Sequence, residues 1–131
     1  MKKGTRVLMA TLAWALGPAA IAGDFDGSRQ LICAPVVAMA CFAGEVCEKG
    51  TPDDIGAPAF MRVDFAKKVI VGPYRTSPIL ALDKDEKQIL LQGNELGLAW
   101  SMALNSDDGK MTVTMSNRNG AYVLFGSCTP L

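Results

Sequence analysis

Apolar and polar residues alternate along most of the chain after residue 59, in short runs separated by turn-forming residues. In the run FMRVDF, Met61, Val63 and Phe65 fall on one side and Arg62 and Asp64 on the other. A period of two is typical of a strand with one buried face. This stretch is therefore predicted to be a half-buried strand, with Asp64 on its polar face.

The same period recurs further along the chain. In GLAWSMALN, the side chains of Leu98, Trp100, Met102 and Leu104 share a face, and KMTVTMS repeats the pattern. Turn signals separate the runs, namely AKK, GP, KDEK, SDDG and NRNG. The last of these predicts a hairpin turn in which Gly120 takes a position that tolerates positive φ.

For the segment before residue 59, the prolines are the main guide to secondary structure. LICAPVVAMAC, residues 31–41, is predicted to be extended, because Pro35 would fall inside any helix there at a cost of about 3 kcal/mol. Thr51 is a capping residue followed by Pro52 and two acidic residues, which predicts one short helical turn. FAGE, between two cysteines, is predicted to be a turn.

The first 22 residues have the pattern of a secretory signal peptide. Three basic residues precede an uncharged apolar stretch, and the small residues of Ala20-Ile21-Ala22 end it. The apolar stretch is too short to span a bilayer. We therefore expect residues 1–22 to be removed and residues 23–131 to form a single β domain, periplasmic or secreted, with no membrane anchor.

Four cysteines remain after the predicted cleavage, which in a short exported chain indicates disulfides. Their spacing matches no zinc ribbon or CxxC motif. Of the three possible connectivities, we favour Cys41 with Cys47 and Cys33 with Cys128. The second bridge would join the first predicted strand to the last and hold the end of the chain.

These patterns together predict an all-β fold. We expect an antiparallel meander of seven or eight strands that forms a small barrel or strongly curled sheet, stapled by disulfides, with at most one short helical turn. Closing the sheet through its first and last strands would remove both free edges.

Composition excludes several classes of function. Without the leader, ten basic residues face thirteen acidic ones, a formal charge of −3, so nucleic acid is a poor partner. The absence of histidine removes Ser-His-Asp and Cys-His catalysis and most catalytic zinc sites. Acidic pairs such as Asp53-Asp54 and Asp107-Asp108 fall in predicted turns, where Asp bonds to nearby backbone. We expect no catalytic residue, metal or cofactor.

Two loops carry the candidate interaction residues. Tyr74 and Arg75 lie in VGPYRTSP between two predicted strands, and an exposed Tyr-Arg pair has the composition of an interface hot spot. The 117–120 turn adds Asn117, Arg118 and Asn119. Ordinary loop decoration is the alternative for both loops. Trp100 is expected in the core, with a sugar- or peptide-binding patch beside Glu95 as the alternative.

The chain resembles a group of small secreted proteins of Gram-negative bacteria in FDGSRQLIC, RVDFAKK, WSMALN, GKMTVT and the closing FGSCTP. That group has no assigned activity, so the resemblance implies fold and export and transfers no functional residue. The chain is more loosely similar to the small disulfide-stapled barrels that inhibit lysozyme in the periplasm. NGAYVLFG has a tyrosine after a glycine-bearing turn, but the Thr-Lys-Gly expected after it is missing.

The first functional hypothesis is a periplasmic binding or inhibitor-like module, monomeric, that captures a periplasmic or extracellular protein through its loops. The second is a carrier of a small apolar ligand inside the barrel, against which the large inward residues argue, since they predict a filled interior. A structural role in the envelope and an enzyme, either a carboxylate-based hydrolase or a thiol oxidoreductase, are the remaining alternatives.

Overall fold

The computed structural model describes residues 23–131, and the predicted leader lies outside them. The fold is all-β, with ten strands and one 3₁₀ turn, Asp53–Ile55, among these residues. The strands are β1 Leu31–Phe42, β2 Glu48–Gly50, β3 Met61–Asp64, β4 Val69–Val71, β5 Thr76–Pro78, β6 Ala81–Lys84, β7 Gln88–Glu95, β8 Leu98–Asn105, β9 Lys110–Ser116 and β10 Gly120–Pro130.

All strands belong to one antiparallel sheet, in the order β5, β4, β3, β1, β10, β9, β8, β7, β6, with β2 added to β1. The first long strand pairs with the last over almost its whole length, from Leu31 opposite Pro130 to Phe42 opposite Gly120. The sheet curls strongly into a half-barrel, as the sequence predicts.

The two ends of the sheet meet where β5 passes into β6. The sequence pattern predicts a single strand over SPILALD, but the structure divides it, because the chain changes partner between residues 79 and 80. The Ile79 amide donates to the Lys68 carbonyl on one side (2.9 Å), and the Leu80 amide donates to the Gln92 carbonyl on the other (2.8 Å). The outermost strands are thus joined by the chain itself.

Both predicted disulfides are present. Cys33 and Cys128 face each other across β1 and β10 and are bonded, and Cys41 is bonded to Cys47 across the 43–45 turn. Disulfides form and persist in oxidising compartments, so the pair is compatible with an exported protein. Within residues 23–131, no helix is long and apolar enough to cross a membrane.

The two ends of the barrel are built differently. The lower end, where β1 begins and β10 finishes, is covered by residues 23–30. Phe25 lies directly over Gly109, where a Cβ would come within 2.4 Å of the phenyl ring. Phe65 lies beside Gly27, and the Leu131 amide donates to the Gln30 carbonyl (2.9 Å). The lower end is therefore closed by packed side chains and backbone hydrogen bonds.

The prediction that Asp64 lies on the polar, solvent-facing side of its strand is wrong. Its carboxylate is only 3% exposed and accepts hydrogen bonds from Gln30 Nε2 (2.7 Å) and the Lys67 amide (2.9 Å). The strand ends at this residue and the chain turns back, so the side chain points into the turn rather than to solvent. Two donors satisfy the buried oxygens, which removes most of the cost of burying them.

The role predicted for Gly120 in the hairpin turn is also wrong. It does not have positive φ but lies at the start of β10, directly against the end of β1. A Cβ there would lie 2.7 Å from the Phe42 ring and 2.8 Å from the Cys41 carbonyl oxygen. Glycine is needed for close approach of the two strands, while Asn117 Oδ1 forms the turn by accepting from the amides of Asn119 and Gly120.

Candidate functional site

The upper end of the barrel opens into a cavity of about 600 Å³. Strands β3, β4, β8, β9 and β10 form its walls together with Ser77 of β5. Its mouth is formed by residues 53–58, residues 72–75, Glu95 at the end of β7 and Asn117 in the turn after β9. Its larger apolar side chains are Ile55, Met61, Ile70, Leu98, Trp100, Met102, Val113, Met115, Tyr122 and Leu124. The expectation of a filled interior is therefore wrong at this end.

The residues that line the cavity become less buried from its base to its mouth. Met102, Val113 and Leu124 are buried at the base of the cavity, whereas Trp100 and Met115, nearer the mouth, are half-buried. Period-two alternation explains why they all point inward, since each is two residues from the next inward residue of its strand. The inward faces of β8 and β9 thus run continuously from the closed core to the open cavity.

Trp100 forms one wall and also links the two ends of the sheet. It lies opposite Gly93 on β7, where a Cβ would come within 2.3 Å of the indole ring. Because glycine leaves that space free, the ring lies across β7, and its Nε1 donates to Ser77 Oγ on β5 (2.9 Å). The sequence places Trp100 in the core, but the structure places it at the boundary between core and cavity.

The two loops proposed from the sequence come together at the mouth. Tyr74 and Arg75 line the cavity from the β4–β5 connection, and Asn117 lines it from the β9–β10 turn. Tyr74 is 94% exposed, so its ring stands in solvent at the rim. Arg118 and Asn119 are exposed on the same turn but are not part of the cavity wall.

Residues 51–58 form a rim that the sequence analysis missed. Asp54 accepts hydrogen bonds from the Thr51 amide (2.7 Å) and from Thr51 Oγ1 (2.8 Å). The backbone hydrogen bond, followed by the hydroxyl hydrogen bond, holds the pKa of Asp54 below its ordinary value. The carboxylate thereby fixes the 3₁₀ turn, which carries Ile55 to the cavity. The sequence predicts this turn correctly but is wrong about its cap, because Pro52 is the N-cap residue and Thr51 does not cap the turn through its side chain. The sequence also gives no sign that Ile55 reaches the interior.

Charge at the mouth is sparse and mixed. Arg75 carries one positive charge, and Asp53 and Glu95 carry negative charges. Within residues 23–131, no salt bridge involves any of the three, since the two present are Arg29 with Asp24 and Lys110 with Asp108 at the lower end. The cavity is therefore mainly apolar inside, with a few charged groups at its mouth that form no salt bridge, the composition that small-molecule sites typically have.

The acidic residues of the described part of the chain are not grouped as metal ligands. In residues 23–131, no group of three or more acidic or cysteine side chains is placed to hold a metal ion. The acidic residues in turns instead bind backbone, as Asp85 does by accepting from the amides of Lys87 (2.7 Å) and Gln88 (2.9 Å).

Comparison with known proteins gives no relative. No protein-family model matches the sequence, and no curated protein or solved structure is similar enough to count as a match. The function is therefore argued from the geometry of the open end alone.

Proposed function

We propose that this chain is an exported binding module that holds a small apolar ligand in the cavity at the upper end of its barrel. The cavity itself is the observation that carries the proposal. Its volume of about 600 Å³ lies within the roughly 300–1,000 Å³ range of small-molecule sites. Small-molecule sites are typically concave and mostly apolar, as this one is.

The chemistry of the walls defines the ligand. Trp100, Met102 and Met115 offer one aromatic and two thioether side chains, which adapt to different apolar shapes. The polar groups lie at the rim, at Tyr74 and Arg75 among others, apart from the buried Ser77, whose Oγ accepts a hydrogen bond from Trp100. An apolar body inside and a polar end at the mouth fit this distribution, and they make a straight-chain alcohol a suitable probe.

Calorimetric titration with decanol and dodecanol tests the proposal. Each buried methylene group contributes about 0.8 kcal/mol, so dodecanol is expected to bind roughly tenfold more tightly than decanol. Burial of apolar surface also predicts a negative heat-capacity change of binding. If the protein gives no binding heat with either alcohol, the proposed function is wrong.

Two variants of one strand provide a matched pair. Met115→Arg places a cation in the cavity wall and is expected to abolish alcohol binding, because the charge would be desolvated by the apolar chain. Thr114→Arg changes the next residue of β9, which is exposed on the outer face. It is expected to leave binding unchanged. Equal affinities for the two variants would contradict the site.

A second candidate function is the capture of a periplasmic or extracellular protein by the mouth loops. The observation that favours it is the 94% exposure of Tyr74 next to the exposed Arg75. The double variant Tyr74→Ala/Arg75→Ala is expected to lose a protein partner without lowering the melting temperature, since both side chains are solvent-exposed. A partner that the double variant still captures would exclude these loops as the binding surface.

A further inference from the structure

Five of the ten exposed large apolar side chains among residues 23–131 lie at the upper end of the barrel. They are 41% to 94% exposed, and they belong to the end of β1 or to the connections around the mouth of the cavity. We call them the apolar crown, and they are Phe42, Val46, Phe60, Tyr74 and Leu96. They come from four separate parts of the chain that only the fold brings to one end.

Two members of the crown reach the cavity wall, and the other three lie on neighbouring stretches of the chain. The Phe42 ring packs edge-on against the ring of Tyr122, with centroids 6.0 Å apart, and Tyr122 lines the cavity. Phe60 precedes the lining residue Met61, and Leu96 follows Glu95. Tyr74 lines the cavity itself, and Val46 lies in the loop that the Cys41–Cys47 disulfide closes just beyond Phe42. The rings of Phe42 and Tyr74 therefore join the crown to the cavity wall.

Charged residues of both signs stand beside the crown. Glu45 precedes Val46, Arg75 follows Tyr74, Glu95 precedes Leu96, and Arg118 occupies the neighbouring turn. Asp53 adds a further negative charge at the mouth. Such a set offers no excess of positive charge to attract anionic lipid. It does offer a cation for phosphate and an anion for an ammonium group, which are the two charges of a zwitterionic phospholipid head group. The flanking charges also limit insertion to head-group depth, where they stay hydrated.

We propose that the apolar crown docks the open end of the barrel onto the surface of a zwitterionic phospholipid bilayer. A protein seated on the crown would have to cover an open cavity, whereas a bilayer surface supplies apolar molecules that enter it. Docking would also shield the mouth from water, so a ligand could pass between bilayer and cavity. Transfer of a ligand rests on the proposed function, but docking does not.

Flotation of the protein with phosphatidylcholine vesicles tests the docking. The wild-type protein is expected to float with the vesicles. Val46→Ser/Leu96→Asn removes two crown side chains that do not line the cavity and is expected to weaken vesicle binding by at least roughly tenfold. Asparagine suits position 96, where φ is 48°.

The matched control is Val36→Ser/Leu131→Asn, which makes the same kinds of replacement at two exposed apolar residues that are not on the mouth connections. It is expected to bind vesicles as the wild type does. Phe60→Gln, on another connection of the crown, is expected to weaken binding by itself and serves as the test if the double crown variant does not fold.

Three results would overturn the docking proposal. They are wild-type protein that stays below the vesicles, equal flotation of the crown variants and the control, and binding only to anionic phosphatidylglycerol vesicles. Decanol titration of the same samples separates the two proposals. Decanol binding without vesicle binding overturns the docking alone, and vesicle binding without decanol binding overturns the carrier function alone.

Discussion

The lower and upper ends of this barrel use the same alternating strands for different purposes. At the lower end, Leu31, Val63, Ile89 and Leu104 are completely buried beneath the segment that carries Phe25. At the upper end, Trp100 and Met115 on the same inward faces are half-buried around open space, and no comparable segment of residues 23–131 covers them. Inward-facing apolar residues therefore form a packed core only where another part of the chain covers them.

Removing the disulfides is expected to give the largest difference in stability between the two ends. Replacing both Cys33 and Cys128 by alanine is expected to lower the free energy of unfolding by about 4 to 5 kcal/mol, because the bridge closes a loop across most of the domain. Replacing Cys41 and Cys47 should cost about 2 kcal/mol, since that loop is short. Urea unfolding of the two double variants measures both. Equal losses would contradict the account.

Core truncations sharpen the same contrast. Leu104→Ala, in the closed core, is expected to lower the free energy of unfolding by about 2 to 5 kcal/mol, the cost of a new cavity in a packed site. Met115→Ala only enlarges a space that is already open, so its cost should be smaller. Thermal or urea unfolding of the pair gives the comparison, and a larger loss for Met115→Ala would show that the upper end is packed after all.

Two glycines with positive φ provide a local comparison. The Cβ that Gly97→Ala would add, in the upper β7–β8 turn, has no atom within 4 Å. Only the φ of 81° opposes this substitution, which is expected to lower the free energy of unfolding by about 1–2 kcal/mol. Gly109→Ala, at the lower end, adds contacts of 2.4 Å with Phe25 and 2.8 Å with the Cys128 carbonyl oxygen. Its melting temperature should fall further than that of Gly97→Ala. The reverse order would mean that Phe25 does not cover this end.

The smallest expected effect is a change in how stability depends on pH in acid. Hydrogen bonds from the amides of Lys87 and Gln88 hold the pKa of Asp85 below its ordinary value. The unfolded chain therefore binds the proton more readily, so the stability from Asp85 is present above about pH 4 and is lost as the pH falls through the folded pKa. Asp85→Asn should flatten the acid side of the stability curve, measured by urea unfolding across pH. An unchanged curve would contradict this assignment.

Much of the closed part of the fold is readable from the sequence. Alternation predicts the inward faces, Pro35 excludes a helix from β1, and the cysteine spacing favours the observed bridges. The first and last segments pair as predicted, but this pairing does not remove the free edges: it lies in the middle of the sheet, whose outermost strands are β5 and β6. The features that were predicted correctly depend on local patterns.

The structure of the open end is harder to predict from the sequence, because it depends on which segment covers which end of the barrel. Large inward residues such as Trp100 and Met115 predict a filled interior only if something covers them. The pairing of Gly93 with Trp100, which lets the indole reach Ser77, is a signal that could have been found only once the register of β7 and β8 was known. The loop residues Tyr74 and Arg75 were found from composition, but their position at the mouth of a cavity was not.

Methyl NMR of isotopically labelled methionines, recorded during a decanol titration, tests the central claim most directly. Met61, Met102 and Met115 line the cavity, whereas Met39 and Met111 do not. The account predicts that the first three methyl signals shift saturably with decanol while the other two stay in place. Signals that are all unchanged, or that all shift alike, would contradict a ligand site at the open end.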